Sequence, residues 1–148
     1  MNPEVKLPIH QFRGEFAFLS NFWWAPVHFD GLIFPTAEHA YQAAKTLDPT
    51  EREWIRTMRT PGIAKRAGRT VTLRPFWNDI RIAAMDVILH AKFFDLELRR
   101  KLIATHPRRL IEGNYWGDTF WGCVAVDGKL KGENHLGKLL MQLRKELF

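Results

Sequence analysis

The chain is almost without cysteine. Cys123 stands alone, so no intramolecular disulfide can form and no thiolate cluster can hold zinc. The six histidines show no His-x-x-x-His or similar pairing, which argues against a metal centre. No apolar run approaches the length of about eighteen residues that crosses a bilayer. The first residues lack the basic-then-apolar profile of a secretory leader. Long basic tails and internal repeats are missing as well. These absences predict a cytoplasmic protein with no metal, no cofactor and no membrane partner.

With 148 residues the chain is long enough for one real core and too short for two comfortable domains. We read residues 1–11 as a lead-in, carrying Pro3 and Pro8 with little periodicity, and residues 12–148 as a single domain. Aromatics reach 13%, including six tryptophans, a supply suited either to stacking flat rings or to filling a core. The formal charge of +6 favours an anionic partner such as a nucleotide, phosphate ester or nucleic acid. Its short clusters, Arg99-Arg100-Lys101 and Arg108-Arg109, are what solvated helix ends carry and not a dedicated nucleic-acid arm.

The stretch Phe34 to Lys45 organises the rest. Pro35 forbids an earlier helix start, Thr36 can cap the first turn, and four alanines then favour helix. At about 100° per residue, Glu38, Tyr41, Gln42 and Lys45 share one face while Ala40, Ala43 and Ala44 share the other. Alanine supplies little apolar area, so this inverts the usual amphipathic helix. Two readings follow: an enclosed helix whose polar face lines a cavity, or a polar face in solvent. Glu38 and Lys45 lie about 10 Å apart along the axis, close enough to reach one ligand.

Other elements are legible in turn. Glu15–Leu19 reads as a strand. Val27–Phe29 and Leu32–Phe34, joined by Asp30-Gly31, read as a hairpin with a type I′ turn. Thr50 with Glu53 reads as a capping box ahead of a helix holding Trp54, Ile55 and Met58. Thr60-Pro61 opens a short helix that Gly68 closes. Asn78–Phe93 reads as a long helix with Ile80, Ala84, Val87, Ile88 and Ala91 inward, and Asp95 caps the next. Phe120–Val126 reads as a strand ending at Asp127-Gly128. Asn134 caps a last helix with Leu136, Leu139, Leu140, Leu143 and Leu147 as a core stripe. The expected fold is α+β, predominantly helical, with a small antiparallel sheet.

Three segments carry polar residues where packing alone does not ask for them: Leu19–Phe22, the Glu38–Lys45 face, and Glu112–Gly122. The last sets two tryptophans around an aspartate in a glycine-rich loop, either a ligand-binding loop or a turn pinned by its indoles.

These segments resemble the NADAR domain family. The resemblance is carried by Leu-Ser-Asn-Phe at 19–22, Pro-Thr-Ala-Glu-His-Ala-Tyr-Gln-Ala-Ala-Lys at 35–45, Ala64-Lys65 with Gly68-Arg69, and Met85. It continues in Ala91-Lys92-Phe93, Leu110-Ile111-Glu112, Asp118-Thr119-Phe120-Trp121-Gly122, Asn134-His135-Leu136-Gly137 and Leu140-Met141. The blocks occur in family order from about Phe12 to the C-terminus. Val124, where the family usually has glycine, and Phe94-Asp95, in place of Gln-Asn, are departures that bear on pocket shape. The resemblance implies a metal-free domain that hydrolyses an N-glycosidic bond at C1 of a phosphorylated ribose. Family members are linked to removal of ADP-ribose from modified guanine and to breakdown of riboflavin-pathway intermediates.

The chemistry can also be argued from the residues. Breaking a C1–N bond passes through an oxocarbenium-like state, which calls for a carboxylate or a nucleophile. Glu38 supplies the first. Lys45 supplies the second as a Schiff-base amine if enclosure lowers its pKa, the alternatives being a phosphate contact or an ion pair with Glu38. Motif position makes Asn21 and Asp118 candidates for hydrogen bonds to sugar or base, and Trp77, Trp116 and Trp121 candidates for stacking. Lys65, Arg69 and Lys92 are candidates for phosphate. Phe22, Gln42 and Gly122 join the substrate-binding set, as does His39, which by its angle can equally face the core. Cys123 sits in an apolar strand without a neighbouring histidine and is not expected to be a nucleophile. The expected partner is an ADP-ribosyl or ribose-phosphate substrate, free or as ADP-ribosylated DNA or RNA. A non-catalytic ADP-ribose-binding module and a nucleic-acid binder are the competing classes, and the oligomeric state is left open.

Overall fold

A computed structural model describes residues 7–148. The chain forms two compact units, one of residues 21–94 and one that joins the described chain up to Ser20 with Asp95–Phe148. The first six residues of the expected lead-in lie outside the described residues. Ile9 is not loosely held: it is 2% exposed and bridges Leu110 in parallel, with Ile111 donating to its carbonyl at 2.8 Å.

In the unit of residues 21–94, strand β1 (Trp24–Phe29) pairs antiparallel with β2 (Leu32–Thr36). Asp30 and Gly31 both have positive φ, 47° and 80°, as the expected type I′ turn requires. The register slips between Trp24 and Val27, where Pro26 has no amide to offer the ladder. Chain from β2 runs straight into α1 (Ala37–Ala44), capped by the Thr36 hydroxyl, which accepts from the His39 amide. Helices α2 (Pro49–Arg56), α3 (Pro61–Ala67) and α4 (Trp77–Lys92) follow. Both strands and all three of these helices contact α1, and every residue of α1 is buried. That encloses the alanine-backed helix on both of its faces and removes the solvated alternative.

Three sequence expectations in this unit are corrected. The cap of α2 is Asp48, whose Oδ1 accepts from the amides of Thr50 at 2.8 Å and Glu51 at 3.4 Å. Pro49 takes the first helical position, its fixed φ setting the start two residues before the expected box. Glu53 instead accepts from Arg56, and Met58 falls beyond the helix end. Along α4 the inward set is Trp77, Met85, Ile88, Leu89 and Lys92, while Val87 is 55% exposed.

The second unit contains a 3-10 helix at Gly14–Leu19 where a strand was expected. Its consecutive residues Phe18 and Leu19 are both buried. Helix α5 (Leu96–Ala104) starts at Asp95, whose side chain accepts from the Leu98 amide at 2.9 Å. Strands β3 (Gly113–Asn114) and β4 (Cys123–Val126) pair in parallel, and β4 pairs antiparallel with β5 (Lys129–Lys131). β4 therefore begins at Cys123 and not at Phe120. Helix α6 (His135–Glu146) buries Leu136, Leu140 and Leu143, with Leu139 and Leu147 only half-buried. Asn134 does not cap it with its side chain: the amide donates to the Leu110 carbonyl at 3.0 Å and accepts from the Glu112 amide at 3.0 Å. The α+β expectation holds, with a small mixed sheet added to the antiparallel hairpin. No described helix is long and apolar enough to cross a membrane.

Candidate active site

Helix α1 carries the centre of the site. Glu38 is 7% exposed, its amide donates to the Asn21 carbonyl at 3.0 Å, and its Oε1 accepts from Gln42 Nε2 at 2.7 Å. The spacing of four residues places the two side chains in register on one helix face. Gln42 and Asn21 are themselves buried, at 3% and 9% exposure. Gln42 Oε1 and Asn21 Oδ1 have no hydrogen-bond partner among the described residues. The Asn21 amide nitrogen points to Met85 Sδ at 3.6 Å, tying the segment before β1 to α4.

Lys45 follows the last turn of α1, half-buried. Burial lowers its pKa below the ordinary lysine value, Glu38 works in the opposite direction, and the charges of Arg69 and Lys65 lower it further. The ammonium lies 5.7 Å from the Tyr41 ring centroid, and Tyr41 meets Trp77 at 5.4 Å with planes tilted by 52°. A carboxylate, an amine of reduced basicity and two further cations thus converge around one helix. Such a set can stabilise developing positive charge on a sugar, attack it, and hold a phosphate.

His39 is fully buried. Its Nε2 donates to the Met58 carbonyl at 2.9 Å and its Nδ1 accepts from the Thr36 hydroxyl at 2.7 Å, the tautomer that a carbonyl partner dictates. Burial lowers its pKa, with the Met58 carbonyl opposing. Both ring nitrogens are engaged inside the fold, the core-facing alternative of the two open to it. Lys92 is 1% exposed, lies 5.2 Å from the Phe93 ring, and is pulled by burial to a pKa of about 7. Phe22 is exposed at 42% and brings its ring edge to Gly62 at the start of α3. A shallow cavity of about 180 Å³ lies along the chain after Lys45, lined by Thr46, Leu47, Asp48, Thr72, Leu73, Arg74 and Pro75. None of the candidate residues lines it.

The remaining candidates, Trp116, Asp118, Trp121 and Gly122, form a group in the other unit. Asp118 Oδ1 accepts from the amides of Phe120 at 3.1 Å and Trp121 at 2.9 Å, closing an Asx turn. The Asn114 side chain braces that turn from both sides, accepting from the Asp118 amide at 3.0 Å and donating to its carbonyl at 2.8 Å. Trp121 packs edge-on to Phe120, whereas Trp116 is 52% exposed beside Tyr115. Gly122 is buried where a Cβ would run into the side chain and carbonyl of Glu112. Cys123 is a buried free thiol whose pKa burial raises, in keeping with an inert side chain.

Two contributors were not assigned roles from the sequence. Tyr41, four residues before Lys45, had a signal in that spacing. Met85 acts through α4 as the partner of Asn21, and no local pattern announces a contact 64 residues away.

With this geometry in place, comparison with known proteins places the chain. It is 42% identical over 135 residues to N-glycosidase YbiA of Escherichia coli, covering 86% of this chain and 79% of that protein. It is 35% identical over 133 residues to the riboflavin biosynthesis protein VVA0006 of Vibrio vulnificus, covering 88% of this chain and 35% of that one. The NMR structure of E. coli YbiA superposes with a TM-score of 0.81 at 39% identity, covering 96% of this chain and 86% of that chain. A profile of the NADAR domain matches residues 10–148, and the chain belongs to the NADAR domain family.

Proposed function

We propose that this protein is an N-glycosidase that hydrolyses the bond between C1 of a phosphorylated ribose and a base nitrogen, removing ADP-ribose from ADP-ribosylated guanine. N-glycosidase is the activity in the name of YbiA. The observation that carries the reading is the placement of Glu38 on α1 and of Lys45 at its C-terminal cap. The carboxylate is enclosed and oriented by Gln42, and the amine is made less basic by burial and by Arg69 and Lys65.

The reaction follows from those two groups. The Lys45 Nζ lone pair forms a bond to C1 as the C1–N bond to the base breaks, and the base leaves with that electron pair and takes up a proton. Loss of a proton from Nζ and opening of the ribose ring onto its own oxygen, which is protonated, give a Schiff base at C1. Water then adds to C1, with Glu38 accepting its proton, and the carbinolamine collapses to free the Lys45 amine and ADP-ribose. Glu38 also stabilises positive charge developing at C1 in the first step. Asn21 offers an acceptor oxygen to a sugar hydroxyl, Gln42 holds the Glu38 carboxylate, and Lys65 and Arg69 offer positive charge to the phosphates.

The test is incubation with DNA carrying ADP-ribosylated guanine, mass analysis of the products, and borohydride added during turnover. The expected result is released ADP-ribose, unmodified guanine, and a stable adduct on Lys45 that Lys45→Ala abolishes. Intact substrate after incubation with folded protein removes the reading. The Vibrio relative's name supports a second substrate, a ribosylamine phosphate intermediate of riboflavin synthesis. The same assay run on that compound decides between them.

A further inference from the structure

We infer that Gly68 is a positioning residue, acting through Gln42 to hold the Glu38 carboxylate; the inference rests on the role proposed above for Glu38. Glycine after a helix ordinarily serves a left-handed cap. Gly68 does not: its φ of −61° and ψ of −17° are right-handed helical, a conformation any residue adopts. The backbone at the end of α3 therefore gives no reason for glycine.

The reason lies across the interface with α1. A Cβ at residue 68 would overlap the Gln42 amide oxygen, stand 2.7 Å from Gln42 Cδ and 3.0 Å from Gln42 Cβ. The Gln42 side chain thus lies flat against the bare Cα of Gly68. Its orientation is chemically determined. The amide NH2 donates to Glu38 Oε1 at 2.7 Å, which leaves its oxygen facing Gly68. That oxygen is buried with no hydrogen-bond partner among the described residues, an unfavourable state that persists because the other end of the amide is fixed by Glu38 Oε1 at 2.7 Å. Gly68, Gln42 and Glu38 form one stack in which a methyl group at the first position displaces the second and releases the third.

The experiment combines NMR with kinetics on Gly68→Ala, Gln42→Ala and the double variant, each checked for a cooperative thermal transition. In the wild type the Gln42 side-chain NH2 gives a resonance protected from solvent exchange. Gly68→Ala is expected to abolish that protection while the protein stays folded, and this arm needs no substrate. On the ADP-ribosylated DNA it lowers kcat by about 10- to 100-fold, the range for sub-ångström to ångström misplacement of a catalytic group, with KM within about twofold. In the Gln42→Ala background the alanine at 68 adds a smaller further loss, because the two closest contacts, with the amide oxygen and Cδ, are gone and only the 3.0 Å contact with Cβ is left. A Gly68→Ala protein that keeps the protected signal, or that loses as much kcat again on top of Gln42→Ala, overturns the inference. Glu38→Gln run in parallel separates the two ideas: full activity there removes the role of Glu38. Loss of activity there, with Gly68→Ala at wild-type kcat, removes only the role of Gly68.

Discussion

The Tyr41 and Trp77 rings meet at 5.4 Å between centroids, and this contact joins helix α1 to the first turn of α4. Trp77, a stacking candidate for a substrate base, packs at a tilt of 52° against the protein's own tyrosine and is 6% exposed. Trp77→Ala is expected to destabilise the fold by about 3–5 kcal/mol, with Trp77→Phe losing less, because a large buried aromatic leaves a cavity that packing cannot fill. Urea midpoints of the two variants check the order.

In the proposed mechanism Lys45 attacks C1 as the neutral amine, so kcat/KM is expected to rise with pH through its pKa and level above it. Arg69 is one of the charges that lower that pKa. Arg69→Met removes a repelling cation, makes the ammonium easier to keep, and moves the rising limb to higher pH. The displacement shrinks in high salt, since an exposed charge is screened. Rate profiles at two ionic strengths measure both effects.

Lys92 links stability to pH. Its pKa in the fold is about 7 against an ordinary 10.5, so between those values the unfolded chain holds the extra proton. Stability then rises with pH across this window, with a contribution of up to about 1.4 kcal/mol per unit, and is lost as pH falls toward 7. Lys92→Met removes the titrating group. Urea unfolding of both proteins at pH 7, 8 and 9 is expected to give a steeper rise for the wild type.

Asp118 closes its turn through one carboxylate oxygen bonded to two amides. Asp118→Ala leaves both amides without that acceptor and is expected to lower stability by about 1–2 kcal/mol, whereas Asp118→Asn keeps an oxygen in place and stays within about 0.5 kcal/mol. Chemical denaturation compares the pair. A large loss of activity in Asp118→Asn at unchanged stability points to a contact with substrate as well.

What was legible in the sequence was local. The Asp30-Gly31 turn, the Thr36 and Asp95 caps, the helix start at Thr60-Pro61 and the shared face of Glu38, Gln42 and Lys45 are all set by bonds and angles spanning a few residues. Local rules failed where two local solutions competed. Asp48-Pro49 outranked the Thr50 box, and Gly14–Leu19 closed into 3-10 turns where its apolar run equally suited a strand.

The sequence by itself determined that a carboxylate, an amide and an amine line up along α1 and the capping residue after it, because helical periodicity sets their angles. Tertiary structure alone decided that this face is enclosed, that Lys92 points inward while Val87 points out, and that Gly68 is glycine for the sake of Gln42. Burial and close approach are properties of what packs against a residue, and the partners here come from strands and helices that the chain reaches only by folding back on itself.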